Sequence, residues 1–213
     1  SINLCIIAYL LGSIPSSVWI GKKFYNIDVR EHGSGNAGTT NTFRVLGTLP
    51  GIIVFVLDIF KGWLAVSLIH FAKSYIPETA QFVNFQLFLG ALAVFGHIFP
   101  IYVGFKGGKG VATLLGIVLA IHPLAALISL AVFSVVLILS KYVSLSSMIA
   151  GFVFPFVLIF IFKETIVSLI GFSVLISILL ILTHQKNIVR LLAREENKVR
   201  FRKERDFPRR RKR

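Results

Sequence analysis

The sequence predicts an all-α integral membrane protein: a bundle of seven transmembrane helices, with the N-terminus outside and the C-terminus in the cytoplasm. Three observations carry this. Hydrophobic residues make up 55% and charged residues 15% of the chain, against roughly 25% charged in a soluble domain, and mean hydropathy is +0.82. Apolar stretches near the length that spans a bilayer, about 20 residues, recur along the 213 residues. The Lys and Arg residues gather in alternate connections between those stretches.

The first span covers 3–22, closed by Gly21-Lys22-Lys23. It lacks the small-residue cleavage site of a removed signal peptide and is read as a spanning helix. Its Cys5 is the single cysteine, so no internal disulfide forms, and no Cys/His spacing suits zinc. A lipid-facing place suits this small apolar residue. The segment 27–47, IDVREHGSGNAGTTNTFRVLG, is a glycine-rich loop with a short interfacial helix from Thr40 to Leu46. Spans two and three cover 50–71 and 84–103. The next apolar run, 111–140, is too long for one span, and His122-Pro123 splits it into 111–121 and 123–140, because proline removes a donor and disfavours helix before it. A loop, Lys141 to Ser147, leads to spans at 148–162 and 165–183. Residues 1–183 thus form the transmembrane domain, and 184–213 a cytoplasmic basic tail with a short amphipathic helix. No internal repeat is visible.

The net charge of +14 invites a nucleic-acid reading, but its distribution argues against one. Fifteen of the 23 Lys/Arg lie between Lys186 and Arg213 or at Lys22 and Lys23, beside apolar helices. Such residues are drawn to anionic headgroups by about 1 kcal/mol each. Membrane lipid is therefore the expected partner, and nucleic acid is not. Seven spans put Lys22, Lys23, Arg30, Arg44, Lys106, Lys109, Lys141 and the tail on one side, with only Lys73 and Lys163 on the other. The positive-inside rule makes the first side cytoplasmic.

Four polar segments fall on that side. GSGNAGTTN (Gly33 to Asn41), followed by Arg44, offers backbone amides, side-chain donors from Ser34, Asn36, Thr39, Thr40 and Asn41, and a guanidinium fork suited to phosphate; a flexible linker would also be rich in Gly and Asn. FKGGKG (Phe105 to Gly110) opens a helix with two lysines, again suiting phosphate. It also reads as a positive-inside anchor with a glycine turn. It is not a Walker A loop, since Val103 and Gly110 stand where Gly and Ser or Thr are needed. In KYVSLSS, Ser144, Ser146 and Ser147 either line a pocket or cap a helix. In HQKNIVR, His184 and Asn187 share a helix face at i, i+3; a histidine there is either a general base or a surface residue. His97, before Pro100, reads better as a satisfied core histidine. Asp58 and Lys61, at i, i+3 inside the second span, read as a structural ion pair bordering the site, since charges at membrane depth pair.

In order, GSIPSSVWIG, GSGNAGTTNTFRVLG, DIFKG, GHIFPIYVGFKGGKGVAT, the serine-rich segment and HQKNIVRLL resemble the bacterial membrane acyltransferases that make lysophosphatidic acid from acyl phosphate, the PlsY family. The resemblance runs from Leu11 to about Leu192. Family members carry a Gly shortly after the RL pair and before a Glu, where this chain has Ala193-Arg194-Glu195-Glu196.

The resemblance implies transfer of a fatty acyl group from acyl phosphate to the 1-hydroxyl of sn-glycerol 3-phosphate, releasing phosphate and opening phospholipid synthesis. It implies no cofactor or metal, a monomer in the bacterial cytoplasmic membrane, and a site facing the cytoplasm. The H-x4-D pair of soluble-type glycerolipid acyltransferases is absent from this chain. Two phosphate-bearing substrates need two anion sites, matching two glycine-rich basic loops. Ser34, Arg44, His184 and Asn187 are the expected catalytic residues. Gly35, Asn36, Thr40, Asn41, Lys106, Gly107, Gly108, Lys109, Gly110 and Ser144 are expected to bind substrate, and the glycine loop at 105–110 is linked in family terms to glycerol 3-phosphate. His184 is the candidate base, oriented by Asn187, or it only binds while a substrate phosphate takes the proton; Ser34 as a covalent nucleophile is a weaker option. The competing class is a transporter of an anionic phosphorylated solute, against which stand the missing repeat and the lack of paired broken helices.

Overall fold

The computed structural model describes residues 2–72, 74–77 and 79–199; Lys73 and the Arg-rich segment 200–213 lie outside them. All regular structure among the described residues is helical. The expected continuous first span is broken. α1 (Ile2–Ser13) and α2 (Ser16–Ile20) meet at a bend of 46°, because Pro15 disfavours helix at Ile14 and brings no donor of its own. The freed Ile14 carbonyl accepts from Lys61 Nζ at 2.9 Å. A π-helical turn, Gly21–Tyr25, extends α2.

The glycine-rich segment leads into α3 (Thr39–Leu46), and α4 (Thr48–Ser67) follows after Gly47. α5 (Ala80–Ile98) starts earlier than the expected 84, because Thr79 Oγ1 accepts from the Phe82 amide at 3.2 Å. It stops before Pro100, short of the expected 103, and Ile101–Val103 is a single 3-10 turn. α6 (Val111–Ile121) and α7 (Pro123–Ser140) are separated at His122, whose Nδ1 accepts from the Ala125 amide at 3.2 Å while Pro123 fills the first turn.

α8 (Val143–Phe156), extended by a π-helical turn to Ile161, corrects the expected loop at 141–147. Lys141 turns the chain in the left-handed region (φ 64°). Helix then begins at once, with the Ser146 and Ser147 hydroxyls donating to the carbonyls of Tyr142 (2.7 Å) and Val143 (2.9 Å). α9 (Val167–Thr183) starts later than the expected 165, because the Glu164 carboxylate accepts from the amides of Thr165 and Ile166. α10 (Gln185–Leu192) turns 61° off α9.

Among the described residues, four helices can cross a membrane by length and hydropathy, and up to six spans arise if each bent pair counts as one. α6 is the exception to the seven-span expectation: its 11 residues make about 16 Å at 1.5 Å per residue, against roughly 30 Å of hydrocarbon. Large apolar side chains such as Leu139, Phe160 and Leu175 stand exposed around the bundle, an exterior matched by lipid and not by water.

Small residues let the helices close. α1 packs on α5 where Gly12 lies over Ala93, and α4 packs most extensively on α6, where Gly62 meets the Thr113 carbonyl and Gly116 the Ile59 carbonyl. A Cβ at Gly116 would fall 1.9 Å from that oxygen, whereas Gly171 has nothing within 4 Å. Gly116→Ala therefore lowers the thermal midpoint in detergent by the equivalent of about 1–3 kcal/mol. Gly171→Ala stays within about 0.5 kcal/mol of the parent. Equal midpoints for the two variants would refute the close crossing.

Candidate active site

At one end of the bundle the connections converge. Asp28 is gripped by the Arg30 fork at 2.8 and 3.0 Å, and Arg30 Nη1 donates to the Val103 carbonyl at 2.8 Å. These bonds tie the first polar segment to the stretch before the second. Arg30 holds the Asp28 carboxyl well below the usual carboxylate range. Asn41, 1% exposed, uses its whole amide group on its own loop: Oδ1 accepts from the Ser34 amide at 2.8 Å, and Nδ2 donates to the carbonyls of Val29 (2.7 Å) and His32 (3.1 Å). The segment is thus a fixed scaffold. Asn41 builds it and is not left free to hold substrate, a correction to its expected role.

The second glycine-rich segment folds back on the end of α5. The Gly107 amide donates to the Ile98 carbonyl and the Gly108 amide to the His97 carbonyl, each at 3.1 Å. These two amides are therefore not the free anion donors that the glycine pair suggested. Close approach explains the glycines instead, since a Cβ at Gly107 would lie 2.0 Å from the His97 carbonyl oxygen. Gly110 caps α6 with φ 81°. Lys106 is exposed and makes no hydrogen bond or ion pair among the described residues, so of the two lysines only Lys109 is drawn inward. The two glycine segments share one end of the bundle: Ala37, Gly107 and Gly108 line the same small cavity.

Lys109 donates to Asn187 Oδ1, and Asn187 Nδ2 donates to Glu196 Oε1 at 2.8 Å. Ser144, on the first turn of α8, donates to the same Glu196 oxygen at 3.0 Å. The Arg44 guanidinium lies 4.0 Å from it. Asn187, Glu196, His184 and Ser144 are all buried. Five parts of the chain, at 44, 109, 144, 184–187 and 196, thus close on one polar centre. Among the described residues Ser34 Oγ and Thr40 Oγ1 make no hydrogen bond, so no base activates Ser34 as a covalent nucleophile would require. Asn36 is half-buried beside Gly38, and Gly35 adopts φ 72° while its amide closes a turn on His32.

The centre is cation-rich. Burial lowers Lys109 to about 8, helped by Arg44 and Arg190 and opposed by Glu196. Burial also lowers Arg44, again with Glu196 opposing and Arg190 assisting. His184 is pushed down to about 4, by burial first and by Lys109 second, so the ring is neutral near pH 7. Its Nδ1 is 2.8 Å from the Leu180 carbonyl. A carbonyl only accepts, so Nδ1 carries the proton and Nε2 keeps the lone pair.

Two residues of this centre escaped the sequence reading. Arg190 had a signal, since it follows Asn187 at i, i+3 on α10. Glu196 had none in the helix pattern: it lies beyond α10, and its contact with Ser144 bridges 52 positions. Arg194 lets the chain reach that place. It stands in the left-handed region (φ 59°), and the Glu195 amide closes back on the Arg190 carbonyl at 2.7 Å, an end that favours glycine. Arg194→Gly therefore raises the thermal midpoint by the equivalent of about 1 kcal/mol with turnover unchanged. A lower midpoint would disprove the strained cap.

The sequence profile described as glycerol-3-phosphate acyltransferase matches residues 2–194. A glycerol-3-phosphate acyltransferase of Listeria monocytogenes serovar 1/2a is 45% identical over 200 residues, covering 94% of this chain and 97% of its own length. One from Staphylococcus haemolyticus is 45% identical over 199 residues, covering 93% and 97%. Among solved structures, crystal structures of PlsY, an integral membrane glycerol 3-phosphate acyltransferase, are similar. Its glycerol 3-phosphate form gives a TM-score of 0.82 at 38% identity, over 93% of this chain and 94% of that one. Its lysophosphatidic acid form gives 0.79 at 37% identity, over 92% and 94%.

Proposed function

We propose, from the premise that the chain belongs to the glycerol-3-phosphate acyltransferase family and is a multi-pass membrane acyltransferase, that it moves a fatty acyl group from acyl phosphate to the 1-hydroxyl of glycerol 3-phosphate. One observation carries this reading. The cluster of Arg44, Lys109, Arg190, Ser144 and Asn187 adjoins an apolar groove of about 120 Å³. Val111, Ser147 and Leu180 line that groove, each within a turn of Gly110, Ser144 and His184. Fixed cations suit phosphate, and an apolar groove suits a fatty chain.

The reaction needs little covalent help, because an acyl phosphate is a mixed anhydride with a good leaving group. The hydroxyl oxygen attacks the acyl carbon, the bond from that carbon to the phosphate oxygen breaks, and phosphate leaves with the electron pair. The hydroxyl proton passes to that phosphate. His184 Nε2 accepts a hydrogen bond from the neighbouring 2-hydroxyl of glycerol 3-phosphate and so orients the attacking 1-hydroxyl. With His184 lowered to about 4, it is a weaker base than a phosphate, whose second pKa is about 6. Lys109, Arg44 and Arg190 hold the phosphate groups and stabilise charge as it moves. Ser34, Asn36 and Thr40 complete the head-group pocket. By the positive-inside rule, the basic connections gathered at this end turn it to the cytoplasm.

Purified protein given acyl phosphate releases phosphate only when glycerol 3-phosphate is present, and acylated product appears in equal amount. Reconstituted protein that carries labelled glycerol 3-phosphate across liposomes without esterifying it would overturn the reading. Lys109 is charged below its pKa, so kcat/KM for glycerol 3-phosphate falls as pH rises through about 8. Lys109→Arg keeps its charge and moves that fall upward; an unmoved fall would exclude Lys109 as its source. His184→Ala lowers kcat by about tenfold to a hundredfold, the worth of one orienting hydrogen bond of about 1.5–3 kcal/mol. A loss beyond about ten-thousandfold would restore His184 as the base.

A further inference from the structure

Beneath the proposed anion site lies a buried polar network that the reaction does not use. His97, near the end of α5, is 6% exposed, and Asp58 and Lys61 on α4 are 2% and 4% exposed. Lys61 Nζ is 2.9 Å from Asp58 Oδ1, which also accepts from Ser16 Oγ at 3.1 Å. His97 Nδ1 is 3.2 Å from Thr113 Oγ1 and 3.9 Å from Asp58 Oδ1. His97, Asp58 and Lys61 line the same small cavity as Gly107 and Gly108, and His97 touches the segment that presents Lys109 on both sides of that lysine. Upstream, its carbonyl accepts from the Gly108 amide, and a Cβ at Gly108 would meet its Nε2 at 2.2 Å. Downstream, Thr113 belongs to α6, which begins immediately after Gly110.

We propose that His97, braced by Thr113, is a positioning residue that clamps the 105–110 segment and thereby aims the Lys109 ammonium at Asn187. The geometry is specific to that task. The segment has no buried apolar side chain of its own to pack: Phe105 is exposed, and Gly104, Gly107, Gly108 and Gly110 offer only backbone. A chain of that kind keeps one conformation only if its neighbours supply fixed partners. Ile98 and His97 supply carbonyls on one side, and the imidazole supplies a flat wall on the other. The wall is anchored to α6, and Asp58 and Lys61 stand beside it from α4. Lys61 also donates to the Ile14 carbonyl at the break between α1 and α2, so the network joins four helices beneath one lysine.

This rests on the reading of Lys109 as a phosphate ligand, and the test separates the two. Lys109 and exposed Lys106 are labelled in the folded protein with an amine-acylating reagent, and modification at each is followed by mass spectrometry. Thermal midpoint and glycerol 3-phosphate kinetics are measured in parallel. In His97→Ala and in near-isosteric Thr113→Val, labelling of Lys109 relative to Lys106 changes by at least about threefold. KM for glycerol 3-phosphate rises about tenfold, the equivalent of one charge-assisted contact, with kcat held within about threefold. His97→Asn, which restores a partner for Thr113, recovers most of the KM. Altered labelling with unaltered KM would uphold the clamp and refute the role of Lys109 in binding. Lys109 labelling equal to the parent's in both variants, whatever the midpoint does, would overturn the clamp.

Discussion

The polar end of the bundle depends on one buried carboxylate held among cations. Arg44, Lys109 and Arg190 come from three distant parts of the chain, and each would repel the others if brought together alone. Glu196 is the acidic partner that acts on both Arg44 and Lys109, and its Oε1 takes hydrogen bonds from Asn187 and Ser144. An unpaired charge in a low-dielectric place is costly, so a single carboxylate shared by several donors lets the cluster form. The compensation is incomplete, because three cations face one anion. Among the described residues Glu196 Oε2 is itself buried without a partner. A positive surplus fixed in place by the fold is what a phosphate dianion would complete on the proposed reading.

Charge at membrane depth follows the same rule in a different form. Asp58 and Lys61 balance each other within α4, and their remaining hydrogen-bonding capacity goes to Ser16 and the Ile14 carbonyl. At the break between α1 and α2 the Ile14 carbonyl accepts from the Ser16 amide and from Lys61. The polar network therefore does more than neutralise itself: it stabilises a broken helix that bilayer physics would otherwise penalise.

Much of this architecture was legible in the chain. The His122-Pro123 break, the short α6 and the interfacial α3 follow from proline chemistry and hydropathy alone. The convergence of GSGNAGTTN, FKGGKG and HQKNIVR at one end followed from charge alternation. What failed did so for local reasons. Glycines at 107 and 108 looked like open amide donors, but their amides fold back on α5. Asn41 looked like a ligand and proved to be a brace. The serine segment looked like a loop because serine favours caps and turns, while its hydroxyls in fact bond along a helix. Glu196 and the turn at Arg194 depend on contacts across the whole chain, which no periodicity encodes.

The shortness of α6 gives the arrangement its chemical logic. A helix of 11 residues that starts just after Gly110 keeps the cationic cluster at one end and leaves a groove beside it, lined by α4, α7, α8 and α9 through Phe55, Phe133, Phe154 and Ile176. A fatty chain moving from lipid into such a groove exchanges one apolar surrounding for another, so little free energy is at stake along its length. Recognition must then fall on the head group, where charge is desolvated and geometry is fixed. That division explains why the polar side chains of this molecule are crowded into one corner. It also explains why positioning Lys109 matters more to the proposed reaction than enclosing the tail does.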